Sequence, residues 1–300
     1  MVRFGTHAVR AALLCLLAGT AGAATPLKVF VSVDMEGVAG VVTADQLAPS
    51  GFEYERFRRF MTAEALAAVR GALAAGATEV VVADAHGNGE SLLIEEFPAQ
   101  VRIVRSWPRH GGMMAGLDAS FAAALFVGYH ASTTNMHGVR AHTHSSAHFT
   151  RVALNGQPVT EAEFNAAYAG DLGVPVVFAS GDDAAVAEIR SRLGELESVV
   201  TKRALGFHAA ETLTPAAAVE AIQRGAERAV ATRAARRPFR VAHPVALELS
   251  FKHYQPPELL AFLRTVERID SHTVRFKAAD MAEASDFLDF VDGYSPELTP

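Results

Sequence analysis

Beyond residue 25, short apolar runs alternate with alanine-rich stretches whose apolar positions recur every three or four residues. The runs predict strands at Lys28–Val33, Glu79–Ala83, Val101–Val104, Ala124–Gly128, Phe149–Leu154, Val174–Phe178, Val199–Arg203 and Val245–Phe251, with a late one at His272–Phe276. Helices are predicted between them, at about 53–75, 160–169, 182–192, 214–230, 256–269 and 280–292. In AAGATEVVVAD, Gly76 stops the first helix and the apolar run after it enters the next strand. Strand and helix in alternation read as an α/β fold, a largely parallel sheet flanked by helices. Polar chemistry is concentrated before about residue 195 and thins out afterwards. That shift predicts a catalytic α/β domain over 25–195 and a second, smaller α/β unit with C-terminal helices over 196–300.

The first residues carry a different pattern. Arg3 and Arg10 precede AALLCLLAG, and TAGAATP then offers small residues at 21 and 23, the layout of a signal peptide over residues 1–24. The apolar stretch is well short of the roughly 20 residues that span a bilayer, so the expectation is cleavage and export, with no stable membrane insertion afterwards and a periplasmic or secreted mature chain. Cys15, the only cysteine, lies in this leader. The mature chain therefore has no disulfide, thiol nucleophile or cysteine metal ligand. A net charge of -6 over 300 residues, without basic and aromatic residues interleaved, argues against a nucleic-acid partner. No glycine-rich phosphate loop of either common type occurs.

Candidate chemistry gathers at the predicted strand ends. SVDMEG follows the first apolar run and sets Asp34 and Glu36 two positions apart, on one face if the strand alternation persists, with Met35 turned to the core. Two such carboxylates near a hydrophobic sheet need a cation, a shared proton or open water. Seven of the 12 histidines lie between 86 and 148. Of these, His86 follows VVVADA and His130 follows ALFVGY, so both stand where open α/β sheets gather their ligands. Imidazole and carboxylate together form a ligand set for zinc or a similar ion. A pair of ions roughly 3.5–4 Å apart needs a bridging group, which a carboxylate such as Asp34 can supply. Asp84 reads either as a third inward carboxylate or as an acceptor for an imidazole or loop amide. Thr160 reads as the N-cap of the helix it precedes, with Glu163 in a capping box and Glu161 free to point elsewhere. HGVRAHTHSSAHF holds His137, His142, His144 and His148, any of which could move a proton near a hydrolytic water; composition does not choose among them. The other histidines, His110, His208, His243, His253 and His272, read as loop or surface residues. Ser-His-Asp catalysis lacks its G-x-S-x-G elbow.

SVDMEGVAG, VVADAHG, GYHA, GVRAHT, NGQPVTEAEFNAAYAG, VPVVFASGDD and FKAADMAEA together resemble the successive signature blocks of the zinc-dependent D-aminopeptidases encoded in dipeptide-permease operons. The likeness runs through the whole mature chain. It implies two zinc ions per subunit held by Asp34, Glu36, His86, His130 and Glu161, with His142 assisting catalysis without binding metal. It further implies hydrolysis of the amino-terminal residue of short D-amino-acid peptides or amides such as D-alanyl-D-alanine, by a homodecamer of two stacked pentameric rings. The leader departs from the family's best-known representative. Met136 and His137, in the linker between His130 and His142, depart from the expected small-residue loop and bear on substrate size. From the residues alone, a metal-dependent phosphoesterase or another amidohydrolase remains the rival, followed by a binding module with a structural metal and by a metal-free protein with polar strand ends.

Overall fold

The computed structural model describes residues 1–2 and 26–294; apart from its first two residues, the expected leader lies outside the described residues. In chain order the strands are β1 (Lys28–Val33), β2 (Glu79–Asp84), β3 (Val101–Val104), β4 (Ala123–Tyr129), β5 (Phe149–Leu154), β6 (Gln157–Pro158), β7 (Val176–Asp182), β8 (Glu197–Gly206), β9 (Ala209–Thr212), β10 (Val245–Phe251), β11 (Val266–Arg268) and β12 (Thr273–Ala278). The helices are α1 (Tyr54–Ala74), α2 (Glu161–Asp171), α3 (Asp183–Leu193), α4 (Pro215–Ala231), α5 (Gln255–Leu260) and α6 (Met281–Gly293). A seven-stranded sheet in the order β3-β2-β1-β4-β7-β8-β9 is parallel except where β9 returns antiparallel along β8. A five-stranded antiparallel sheet runs β11-β12-β10-β5-β6. The fold is thus mixed α/β, as expected, with an antiparallel second sheet.

Strand alternation in the large sheet builds two separate cores. Val29, Val31 and Val33 of β1, Val80 and Val82 of β2, and Leu125 and Val127 of β4 pack with Met61 and Ala65 of α1 and Ile222 and Ala226 of α4. The intervening Phe30, Val81, Ala124 and Phe126 face the other way, onto Ala162, Ala166 and Ala169 of α2. The same helix sends Phe164 and Ala167 into the core of the second sheet, among Val152, Leu247 and Val274. Helix α2 is therefore the layer shared by both sheets, which its alternation of alanine and larger apolar positions permits.

Two expectations are corrected here. The helix predicted at 256–269 stops at Leu260; Ala261 to Leu263 form turns, and Val266 pairs with Phe276 as the strand β11. The apolar spacing Leu259, Leu260, Leu263 suits a helix, but ladder bonds to β12 and burial of Val266 prevail. The sheets also do not divide at residue 195: β8 and β9 join the first sheet, whereas β5 and β6 join the second.

Candidate metal centre

The chain runs from β1 to β2 and β3 on one side of the sheet and then returns to β4 on the other, so the space past the C-terminal ends of β1 and β4 is the switch point where such sheets bind ligands. Val33 is level with Asp84 on one side and Val127 on the other, so β1 and β2 end together and β4 runs two residues further. The Asp34 N–H still donates to Val127 O at 2.8 Å, which extends the strand alternation by a residue. Met35 accordingly joins the core on the α1 side. Backbone approach is close here: a Cβ on Gly37 would lie 2.1 Å from Tyr129 O, and one on Gly128, whose φ is +72°, 2.2 Å from Asp34 O. Only glycine fits either place.

Five of the anticipated residues converge in this space, each no more than 7 % exposed. Asp34 Oδ1 lies 3.2 Å and Glu36 Oε2 2.9 Å from His86 Nδ1. On the other side, Asp34 Oδ2 and Glu161 Oε2 each lie 3.3 Å from His130 Nε2. Two triads result, Asp34–Glu36–His86 and His130–His142–Glu161, the ligand atoms within each lying no more than 4.8 Å apart. Asp34 turns one oxygen toward each. Glu161 arrives from N1 of α2, whose N-cap Thr160 accepts the Glu163 N–H at 2.8 Å, and its Oε1 accepts the His144 amide at 2.7 Å. The capping box is half made, because Arg192 takes the Glu163 carboxylate at 2.7 Å instead.

Backbone carbonyls fix which imidazole nitrogen is left to bind. His86 donates from Nε2 to Leu47 O at 2.7 Å, leaving Nδ1 toward the carboxylates. His130 donates from Nδ1 to Ala131 O at 3.0 Å, leaving Nε2. Asp34 Oδ2, Glu36 Oε2 and His130 Nε2 are all buried without a hydrogen-bond partner. Three such atoms aimed at one space would be costly without an electrophile among them. A nitrogen and oxygen donor set with outer hydrogen bonds to its imidazoles fits a divalent ion such as zinc.

The electrostatics agree with that donor set. Burial opposes charge on every member, yet the Glu36 and Asp34 carboxylates raise His86 well above the ordinary imidazole range, and Glu161 with Asp34 does the same to His130. Glu36 and Glu161 are held low, burial being outweighed by His86 and by His130 respectively. Asp34 goes the other way: burial and the neighbouring Glu36 charge raise it. The space strongly favours positive charge.

His142 is the most open member, its side chain 14 % exposed. It stacks on His130 with ring centroids 4.0 Å apart, donates from Nδ1 to Arg140 O at 2.8 Å and brings Nε2 to 3.8 Å from Glu161 Oε1. Asp84 takes the loop-amide role, accepting the Leu92 N–H at 2.7 Å. Other histidines sit elsewhere: His110 pairs with Asp286 and His148 with Asp292, both at 2.8 Å, His243 pairs with Asp171 at 3.0 Å, and His137 is exposed along with Met136. Lys202, whose ammonium is buried behind the Glu36 loop, escapes sequence reading because a lysine in VVTKRAL looks like a solvent-facing strand residue.

The chain is similar to known proteins along most of its length. A D-aminopeptidase of Bacillus subtilis (strain 168) is 32 % identical over 262 residues, covering 86 % of this chain and 94 % of that protein. The solved structure of DppA from Bacillus subtilis, described as a Zn-dependent D-aminopeptidase and a self-compartmentalizing protease, superposes with a TM-score of 0.85 at 28 % identity, covering 91 % of this chain and all of that one. A family model described as D-aminopeptidase matches residues 27–290. With nearly all of its described length inside that match, the chain belongs to the D-aminopeptidase family.

Proposed function

We propose that this protein is an exported, dinuclear zinc aminopeptidase that removes the amino-terminal residue of short D-amino-acid peptides or amides, D-alanyl-D-alanine among them. The observation that carries the two-ion reading is Asp34, whose carboxylate turns one oxygen to His86 and the other to His130. Glu36 and His86 would complete one ion's ligands, His130 and Glu161 the other's. Bound there, a pair of divalent ions supplies Lewis acidity, which polarises a carbonyl and lowers the pKa of water. His142, fixed through Nδ1 to Arg140 O, presents Nε2 at the open side and passes a proton to the leaving amine. The substrate's free α-amino group would be held at the same space, by an ion or by an acidic group of the site, which gives exopeptidase register.

Preference for D-residues comes from the relatives. So does closed self-assembly, which we take to be a homodecamer of two pentameric rings. Export and a periplasmic location rest on the leader pattern of residues 1–24. None of the described helices is long and apolar enough to cross a membrane. The decisive experiment assays the zinc-loaded mature chain against matched L- and D-aminoacyl amides, dipeptides and aryl phosphates. Turnover of D-alanyl substrates is expected; turnover of phosphates with D-peptides left intact would replace this reading by a phosphoesterase. Light scattering reports the assembly, and fractionation of the producing cells reports the location.

A further inference from the structure

The loop Glu36–Val41 carries one carboxylate of the metal centre and makes few hydrogen bonds to itself, chiefly Val41 N–H to Val38 O at 3.1 Å. Its other polar groups are taken up from outside. The Gly37 N–H donates to Gly128 O at 2.7 Å, and Gly37 O accepts from the Thr201 hydroxyl at 2.5 Å. The Ala39 N–H donates to Glu64 at 2.9 Å, and the Gly40 N–H to Thr212 at 2.8 Å. Gly40 O accepts from Gln46 Nε2 at 3.3 Å, and the carbonyls of Glu36, Val38 and Val41 all accept from Lys202 Nζ, the last two at 2.9 and 2.8 Å. An ammonium has three N–H donors, and all three are used here. Sequence alternation alone would not aim the side chain this way. Gly181 pairs with Val200, but Asp182 pairs with Lys202, so β8 carries one extra residue at Thr201. That irregularity turns Thr201 and Lys202 both inward, between the exposed Val200 and Arg203. Bulges beside active sites commonly re-aim a side chain in this way.

We propose that Lys202 is a positioning residue of the metal centre: by holding the carbonyls of Glu36, Val38 and Val41 it sets the Glu36 carboxylate against His86 and thereby the ion affinity of the Asp34–Glu36–His86 half. The proposal rests on the two-ion reading above. The carbonyl of Glu36 is the group directly held, so the hydrogen bond fixes the backbone from which that carboxylate projects. The His130–Glu161 half is built on β4 and α2 and makes no contact with the Lys202 ammonium.

The test is Lys202→Met, which preserves most of the buried stem and removes the donors. Stripped wild-type and variant chains are titrated with Zn²⁺ and with Co²⁺, whose absorption reports ligand geometry, while urea midpoints are followed without metal. The expected result is about a 10- to 100-fold loss of affinity for one ion, with a changed Co²⁺ spectrum, and the second ion held as in wild type. A lowered urea midpoint with both affinities unchanged would make Lys202 structural and overturn the proposal, as would equal weakening of both ions. Should that variant fail to fold, Thr201→Val removes the neighbouring hydroxyl bond to Gly37 O, and about a fivefold loss at the same single ion is expected; unchanged binding there overturns the proposal. A wild-type chain that binds two ions but spares D-peptides would sink the proposed activity and leave this inference standing.

Discussion

Replacing Glu64 by Gln should reverse part of the protein's pH dependence of stability. Glu64 lies on the buried side of α1, 1 % exposed; Oε1 accepts the Ala39 N–H at 2.9 Å and Oε2 is buried without a partner. Burial pushes its pKa from 4.5 up to about 7, against the opposing pulls of the Ala39 amide and the Lys202 ammonium. The folded chain therefore keeps a proton that the unfolded chain releases near 4.5. Between those values the native state binds more protons, so stability falls as pH rises. At about 1.4 kcal/mol per pH unit, the loss across that window is about 3 kcal/mol. Glutamine keeps an oxygen for Ala39 and does not titrate. The assay is urea unfolding of both chains, stripped of metal, from about pH 4.5 to about pH 7, a full pH unit below the value of about 8 to which burial pushes Lys202 down. The stability of Glu64→Gln minus that of wild type should rise by about 3 kcal/mol from the acid to the neutral end. A difference that stays flat would show that Glu64 is not raised. A difference that falls would show that an ionised Glu64–Lys202 pair stabilises the fold, and either result refutes the reasoning.

Asp34→Asn should weaken both ions by at least about 100-fold, because an amide offers one neutral oxygen where a carboxylate offers two; titration that finds two ions at wild-type affinity would remove Asp34 from the bridging role. His142→Ala should keep the fold and both ions while turnover drops about 10²- to 10⁴-fold, whereas loss of an ion by metal analysis would make His142 a ligand. Thr160→Ala deletes the cap on α2 and should cost about 1 kcal/mol, a drop in Tm of roughly 2–3 °C, measured calorimetrically on the metal-free chain; an unchanged Tm would mean the cap contributes nothing to the helix.

What could be read from the sequence was what repeats locally. β1, β3, β5 and β10 occupy the expected residues because each is a short apolar or alternating run: β1 meets a different core on each face, whereas β5 and β10 turn alternate positions into one core and leave Arg151, Glu248 and Ser250 on the other side. Asp34, His86 and His130 were foreseeable because each stands at the end of such a run, and runs of a parallel sheet end at the same edge. Long-range pairing was less legible. Nothing near β5 signals that it will lie antiparallel to β10, nearly a hundred residues on. The same holds for β11, where ladder bonds to β12 override a spacing that suits a helix. Glu161 could be freed from its cap by local reasoning, but its approach to His130 depends on α2 lying between the sheets. Lys202 was hidden because its acceptors lie more than 160 residues away and an irregularity in β8 reverses its side.

The placement of α2 gives the centre a mechanical aspect. His130 belongs to the large sheet, whereas Glu161 begins the helix whose Phe164 and Ala167 root in the core of the antiparallel sheet. An ion gripped by both side chains is a rivet between two layers, and its grip is linked to their docking: at about 1,000 times its Kd such a ligand adds about 4 kcal/mol to whatever opening would break the site. Chelation should then speed amide exchange in β10 and β12 well before it reaches β1 and β4. Metal starvation would loosen the molecule along this seam first.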